Sequence, residues 1–76
     1  NKVVIFSKSY CPFCKRTKKL FENLHIEYKA FELDEMTEGA DIQRLLLSKT
    51  GQRTVPNVFV SGQHLGGNDD TARAQK

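Results

Sequence analysis

The sequence predicts one α/β domain, residues 1–76, built on a four-stranded mixed β-sheet with helices on both faces. In the first half, short apolar runs alternate with stretches of helical spacing, in the order strand, helix, strand, helix. In the second half, two short apolar runs flank Ser61-Gly62, a dipeptide typical of a hairpin turn. A chain of 76 residues that is 38% hydrophobic and 28% charged has the size and composition of a single globular domain.

The first half begins with a β-branched and aromatic run, residues 2–7, which predicts a buried strand. Pro12 suits the first turn of a helix, where its missing N–H group costs nothing, and we expect this helix to run to about Asn23. Its apolar face is predicted from residues spaced by three and four positions: Cys14, Thr17, Phe21 and Leu24. Apolar and polar residues then alternate within residues 26–33, which predicts a second strand.

A polar connection over residues 34–39 leads to a second helix, which helical spacing predicts over residues 40–49. Gly51 is expected to cap this helix, because glycine adopts the left-handed conformation that ends many helices. The β-branched run at residues 55–60 predicts a third strand with a proline near its start, and residues 63–65 predict a short fourth strand.

Basic residues gather around the chain's two cysteines, although the net charge is only +3. Five of them lie within twelve positions that hold no acidic residue: Lys8, Lys15, Arg16, Lys18 and Lys19. This mild excess of positive charge does not by itself indicate nucleic-acid binding. No apolar run approaches the ~18–20 residues needed to span a membrane. We therefore expect no binding to nucleic acid or membrane, and we also expect a monomer.

The two cysteines, Cys11 and Cys14, have three conceivable uses: a structural disulfide, a metal site or thiol–disulfide exchange. A disulfide between them closes a very small loop, which removes little entropy from the unfolded chain and so stabilises little. A zinc site needs four ligands, and the spacing of His25 and His64 matches no zinc motif. We therefore expect no metal, while an iron–sulfur cluster shared between two chains stays open as an alternative.

Exchange chemistry is favoured by the position of Cys11 directly before Pro12, at the predicted start of a helix. The positive end of the helix dipole and the nearby Lys8 favour the thiolate, so we expect a Cys11 pKa below the usual value of ~8.5. Cys14 lies about one turn further on, beneath Cys11 and less exposed. Because C-x-x-C at a strand–helix junction is typical of redox motifs, we predict Cys11 as the nucleophile and Cys14 as the resolving thiol.

A second feature is the proline in Thr54-Val55-Pro56. A proline at the start of a strand removes a hydrogen bond from the sheet. A cis bond before Pro56 would leave the backbone of Val55 free to pair with an extended peptide. The residues alone favour an ordinary edge-strand proline.

The motifs "CPFC", "TVPNVFV" and "GG-N-D-D", in this order, resemble a dithiol glutaredoxin of the thioredoxin-fold family, and the resemblance covers residues 3–70. It implies a thioredoxin fold with shortened N- and C-terminal helices. It also implies a glutathione-dependent thiol–disulfide oxidoreductase that reduces glutathionylated proteins, mixed disulfides and protein disulfides. Glutathione would be the cosubstrate and client proteins the partners.

Three alternatives to this function stay open at the level of sequence. One is a glutathione-ligated iron–sulfur cluster carrier or sensor. Another is a thioredoxin-type reductase, although the tryptophan usual there is absent from this chain. The third is a redox-inert module that binds glutathione or protein partners.

The resemblance further implies a glutathione site. Lys8 and Gln43 match positions that bind the glycine carboxylate in glutaredoxins. Thr54, Val55 and Pro56 match the cis-proline loop, whose valine backbone pairs with the cysteinyl part. The γ-glutamyl end matches a turn at the start of the last helix, which is predicted over residues 70–76: Gly67, Asn68, Asp69 and Asp70.

Three further residues are candidates for this site. Arg53 is expected to help bind the carboxylate end, with an ordinary surface charge as the alternative. Tyr10 is expected to pack beside the site. Phe13 stands where the family commonly has tyrosine, so the resemblance leaves the substrate preference open but not the thiol reaction. The redox cycle needs a reducing compartment, so we expect the cytoplasm, or an organelle if a transit peptide has been removed.

Overall fold

The computed structural model describes residues 2–67 of the chain. Its elements follow in chain order: β1 (Val3–Ser7), α1 (Pro12–Asn23), β2 (Tyr28–Glu32), a short 3₁₀ turn (Leu33–Glu35), α2 (Gly39–Thr50), β3 (Asn57–Val60) and β4 (Gln63–Gly66). Within the described range no helix combines the length and the apolar character needed to cross a membrane. The expected last helix and the residues that would cap it, Asn68 and Asp69, lie outside the described residues.

The four strands form one mixed sheet in the order β2-β1-β3-β4. The central strand β1 runs parallel to β2 and antiparallel to β3, and β3 forms a hairpin with β4. Ser61 and Gly62 turn this hairpin with φ angles of 52° and 80°, as primed turns require. The predicted mixed sheet and its hairpin are confirmed.

One face of the sheet packs against α1. Val3, Ile5 and Val58 form a buried cluster there with Phe21 of α1. Tyr28 lies against the same cluster, with its ring centroid 6.3 Å from that of Phe21. This contact holds α1 across β1, so the start of the helix stands at the carboxyl end of that strand.

The opposite face carries aromatic side chains and α2. The ring of Phe6 stacks on Phe31 at 5.6 Å between centroids and meets Phe59 edge-on at 5.9 Å. Leu46 of α2 is buried and borders the same apolar surface as Phe6 and Phe59. With one helix on each face, the predicted layering is confirmed.

Two of the strands were predicted with wrong boundaries. The second strand begins at Tyr28 rather than at residue 26, because the chain turns at His25, whose φ is 58°, and leaves Ile26 40% exposed. It ends before Leu33, which is buried in the 3₁₀ turn. The third strand begins at Asn57 rather than at residue 55, because the bend at Pro56 precedes the first sheet pairing.

Two glycines set the limits of α2. Gly51 ends the helix in the predicted left-handed conformation, φ 75°, and its N–H donates to the carbonyl of Leu47 at 2.9 Å. Gly39 opens it against the backbone of the 3₁₀ turn. A Cβ atom at Gly39 would lie 1.8 Å from the carbonyl oxygen of Leu33, so only glycine fits this approach.

We expect Gly39→Ala to destabilise the fold by about 1–3 kcal/mol, the range for overpacking. Helix propensity alone would give the opposite sign, a gain of up to ~1 kcal/mol. Urea unfolding followed by circular dichroism measures the net effect. Ala40→Gly on the exposed neighbour is the control and loses only the propensity difference. A Gly39→Ala variant as stable as the parent chain would contradict the contact.

Candidate active site

Cys11 is the N-cap residue of α1, as predicted, and Pro12 is the first residue inside the helix. The N–H of Cys11 donates to the carbonyl of Lys8 at 3.1 Å, which closes the turn between β1 and the helix. The carbonyl of Cys11 accepts the first helical hydrogen bond from Lys15 at 3.2 Å. The Cys11 side chain is partly exposed at a helix N-terminus, where unpaired N–H groups and the dipole favour an anion.

Cys14 lies one turn further along α1 and is fully buried, and both cysteines are free thiols. Burial raises the pKa of the Cys14 thiol to about 12, because the thiolate would lose its hydration. A backbone hydrogen bond from Lys8 and the positive charge of Lys18 oppose this rise, whereas Cys11 adds to it. The two thiols of this helix therefore have different environments, because Cys11 is partly exposed to solvent and Cys14 is fully buried.

A carboxylate holds the loop that precedes Cys11. Asp34, in the 3₁₀ turn after β2, accepts a hydrogen bond from the N–H of Ser9 at 2.9 Å and another from the Ser9 hydroxyl. These two hydrogen bonds lower the pKa of the Asp34 carboxyl below its ordinary value of 3.8. The contact ties the loop to the neighbouring strand end and so fixes the approach to Cys11.

The proline loop lies opposite Cys11, and its Val55–Pro56 bond is cis. This agrees with the family resemblance and overturns the ordinary edge-strand proline that the residues alone favoured. The carbonyl oxygen of Val55 lies 4.0 Å from the Sγ of Cys11. From behind, the side-chain amide of Gln52 donates to the carbonyls of Thr54 and Pro56, each at 2.9 Å, and braces the loop.

Between α1 and the proline loop lies a cleft of about 500 Å³. Eight residues line it: Lys8, Tyr10, Cys11, Pro12, Gln43, Arg53, Thr54 and Val55. Lys8 and Arg53 supply two positive charges to the wall, and the nucleophile candidate Cys11 opens onto the same space. The cleft thus joins a thiol, the backbone carbonyl of Val55 and a cationic wall.

The structure brings most of the predicted site residues into this cleft: Lys8, Tyr10, Gln43, Arg53, Thr54 and Val55. Gln43 also has a structural contact that the sequence did not predict, because its amide donates to the carbonyl of Arg53 at 2.8 Å. Pro56 is buried below the loop and does not line the cleft.

Phe13 lies outside the cleft lining. Its ring is 50% exposed, and the guanidinium of Arg16 lies 5.3 Å from the ring centroid. Gly67 sits behind the proline loop, where an added Cβ would be 3.5 Å from the Pro56 carbonyl oxygen. The remaining predicted residues, Asn68, Asp69 and Asp70, fall outside the described part of the chain.

Sequence reasoning missed the residues that support the site. Ser9 and Asp34 are 25 positions apart, and no local pattern connects them. Gln52 directly follows the helix cap Gly51, where a polar residue is typical of any loop, so its role in bracing the proline loop was not predicted. Pro12 was assigned only to the helix start, yet it also lines the cleft. Only Pro12 could have been found from its neighbourhood, since it sits between the two cysteines.

A charged network lies below the two thiols. Lys18 of α1 pairs with Glu32 at the end of β2, with 2.5 Å between Nζ and Oε2. The other carboxylate oxygen of Glu32 accepts a hydrogen bond from the hydroxyl of Ser7, which is fully buried at the end of β1. Among residues 2–67 no group of three or more His, Cys, Asp or Glu side chains gathers as metal ligands would.

The glutaredoxin family model matches residues 3–65 of this chain. The chain belongs to the glutaredoxin family. Glutaredoxin-C6 of rice, Oryza sativa subsp. japonica, is 61% identical over 69 residues, which are 91% of this chain and 62% of that protein. Glutaredoxin-C2 of Arabidopsis thaliana is 53% identical over 74 residues, covering 97% of this chain and 67% of that protein. The chain thus spans about two thirds of the length of these glutaredoxins.

Solved structures give the same result for the fold. The crystal structure of the buckwheat glutaredoxin–glutathione complex superposes with a TM-score of 0.97 at 51% identity, covering 99% of this chain and 68% of that one. The holo form of poplar glutaredoxin C1 superposes with a TM-score of 0.95 at 43% identity, covering 97% and 73%. The thioredoxin fold expected from the CPFC and TVP motifs is therefore confirmed.

We expect Asp34→Asn to lower the urea midpoint at pH 7, by an amount that shrinks as the pH falls below the ordinary pKa of a carboxyl group. The folded-state pKa of Asp34 is depressed, so its contribution is complete above the unfolded-state value of ~3.9 and is lost as pH falls through the folded value. Urea unfolding at several pH values measures the gap between parent and variant. Glu35→Gln, which changes an exposed neighbouring carboxyl, is the matched control. A difference in urea midpoint that stays the same as the pH falls would show that the charge of the Asp34 carboxylate is not involved.

Proposed function

We propose that this chain is a glutathione-dependent thiol–disulfide oxidoreductase that reduces glutathionylated proteins, mixed disulfides and protein disulfides. The observation that carries the proposal is the placement of Cys11. It caps a helix N-terminus, opens into a cleft with two cationic side chains, and faces the Val55 carbonyl across 4.0 Å. Such a site stabilises a thiolate and offers an anionic peptide both charge and backbone partners.

In the proposed first step, the Cys11 thiolate attacks the glutathionyl sulfur of a client's mixed disulfide. A Cys11–glutathione disulfide forms, and the client sulfur leaves with the bonding electron pair as a thiolate. A second glutathione thiolate then attacks the glutathionyl sulfur, which releases oxidised glutathione and restores the Cys11 thiolate. Two glutathione molecules thus supply the sulfur atoms of the oxidised product.

The cleft supports this binding mode at two points. Lys8 and Arg53 suit the glycine carboxylate, while the backbone of Val55 suits the extended cysteinyl part as an added strand would. Gln43 contributes by holding the backbone of Arg53, to which its amide donates. Buckwheat glutaredoxin is known as a complex with glutathione, and its close structural likeness supports the same ligand here.

For a disulfide between two client sulfurs, Cys14 provides a second route. Its thiolate attacks Cys11 Sγ in the mixed disulfide, an intramolecular disulfide forms, and the client is released reduced. Cys14 is buried one helical turn below Cys11, so it meets the mixed disulfide from inside the protein and not from solvent. We propose that the chain acts as a monomer on such clients.

The function is tested with the mixed disulfide of glutathione and 2-mercaptoethanol, coupled to glutathione, glutathione reductase and NADPH. Cys14→Ser should keep this activity and lose reduction of protein disulfides. Cys11→Ser should lose both, because no nucleophile remains. Loss of the glutathione-coupled activity in Cys14→Ser would contradict the division of roles, and a Cys11→Ser variant that retains it would contradict the proposed nucleophile.

We expect Arg53→Gln to raise KM for the glutathionylated substrate about two- to fivefold with little change in kcat. This is the size of effect for a partly solvated ion pair that binds ground state and transition state alike. Steady-state kinetics measures it. Arg16→Gln is the control, since it removes the same charge from the ring of Phe13, outside the cleft. Equal effects of the two variants would assign the loss to overall charge and not to the cleft.

A further inference from the structure

The Lys18–Glu32 pair differs from an ordinary surface ion pair. Its side chains are 19% and 23% exposed, whereas the other pair in the described range, Arg44 with Asp41, is 74% and 68% exposed. Lysine is rarely buried to this extent unless a partner holds its charge. Lys18 follows Cys14 by four positions, so the two residues share one face of α1.

The Lys18 charge is held in place by the ends of two strands. Glu32 ends β2, and its partner across the parallel pairing is Ser7, the last residue of β1. The buried hydroxyl of Ser7 donates to one carboxylate oxygen of Glu32, and the other oxygen meets Lys18. The neighbouring basic side chains of α1 are exposed and form no ion pair within residues 2–67: Lys15, Arg16 and Lys19.

Cys14 is the residue that needs a fixed positive charge. It must become a thiolate to attack a mixed disulfide, yet its burial disfavours that form and raises its pKa. The negative charge of Cys11 also disfavours the Cys14 thiolate, but this charge disappears once Cys11 is part of a disulfide. Among the described residues, two stabilising groups then remain around Cys14: the backbone of Lys8, just after β1, and the charge of Lys18. Asn57, the buried polar residue of β3, carries no charge.

We propose that Lys18 is a positioning residue for the resolving step: its ammonium, anchored by Glu32 and Ser7, stabilises the Cys14 thiolate that attacks the Cys11 mixed disulfide. In that step the Cys14 thiol gives its proton to a solvent base. The new bond joins the two Sγ atoms of Cys14 and Cys11, and the bond from Cys11 to the client sulfur breaks. The two cysteines are oxidised to a disulfide, and the client leaves as a reduced thiolate.

The inference rests on the proposed function, so the experiment must report the two thiols separately. One equivalent of 5,5′-dithiobis(2-nitrobenzoate) is mixed with the reduced protein, and release of the coloured thiolate is followed by stopped flow. Attack by Cys11 releases the first thiolate and leaves the second on Cys11. Attack by Cys14 releases the second thiolate. Cys14→Ser should show the first phase alone, which assigns the phases.

Lys18→Met should slow the second phase about three- to tenfold at pH 7 and shift its pH–rate profile to higher pH. A pKa rise of one unit lowers the thiolate fraction tenfold, but the more basic thiolate is more nucleophilic, which recovers about threefold. The first phase should keep its rate. Lys18→Arg retains the charge and should restore the second phase. Lys19→Met removes an exposed charge one residue away and should change neither phase.

Lys18→Met leaves the Glu32 carboxylate unpaired in a partly buried position and thus risks unfolding. The double variant Lys18→Met/Glu32→Gln removes both charges and should remain folded, with a second phase as slow as in the single variant. A second phase of parent rate and pH profile in the folded double variant would overturn the role of Lys18. Absence of the first phase in the parent protein would instead refute the proposed nucleophile Cys11, so the two failures are distinguishable.

Discussion

The junction between β1 and α1 is the constraint on which the site depends. β1 is the central strand, and the packing of Phe21 on Val3, Ile5 and Val58 fixes α1 across it. The helix must therefore begin just beyond the carboxyl end of β1. Pro12 suits that first turn, and Cys11 is left as the cap, at the one place on the helix where N–H groups have no helical partner. The Cys11 thiol therefore owes its chemical environment to the packing of Phe21, ten residues further along the same helix.

The same helix gives its two cysteines opposite environments. Cys11 stands at the dipole end and opens onto the cleft, while Cys14 has moved one turn into the protein and is fully buried. Three residues of separation are enough for this contrast, because a helix turns a side chain back to nearly the same face while advancing about 5 Å. A shorter spacing would turn Cys14 to another face of the helix, away from Cys11. The C-x-x-C spacing thus places Cys11 where a substrate can reach it, and Cys14 where it can attack a disulfide on Cys11.

Local residue preferences in the sequence were sufficient to predict the limits of the helices and the hairpin turn. Pro12 predicted the start of α1, Gly51 predicted the end of α2, and Ser61-Gly62 predicted the hairpin turn. Each prediction rests on a backbone preference of the residue itself. The second strand was misplaced at both ends, because its alternation continues into the exposed Ile26 and into Leu33, which is buried in a turn rather than in the sheet. The residues that brace the site were not predictable: Ser9 meets Asp34, and Ser7 meets Glu32, only once the parallel pairing of β1 and β2 has formed. The cis geometry before Pro56 was likewise implied by family resemblance and not by the local residues.

The pairing of β1 with β2 connects these observations. It brings two acidic residues from the end of β2 and the turn after it, Glu32 and Asp34, beside two serines from the end of β1 and the loop after it, Ser7 and Ser9. The contact between Ser9 and Asp34 holds the loop that precedes Cys11. The contact between Ser7 and Glu32 holds the carboxylate that pairs with Lys18. The alternation of Ser7-Lys8-Ser9 leaves Lys8 between them, with its side chain in the cleft and its backbone bonded to both cysteines. Under the proposed function, one strand end therefore sets the conditions for both halves of the reaction, which explains why the supporting residues come from β2 although the chemistry belongs to α1.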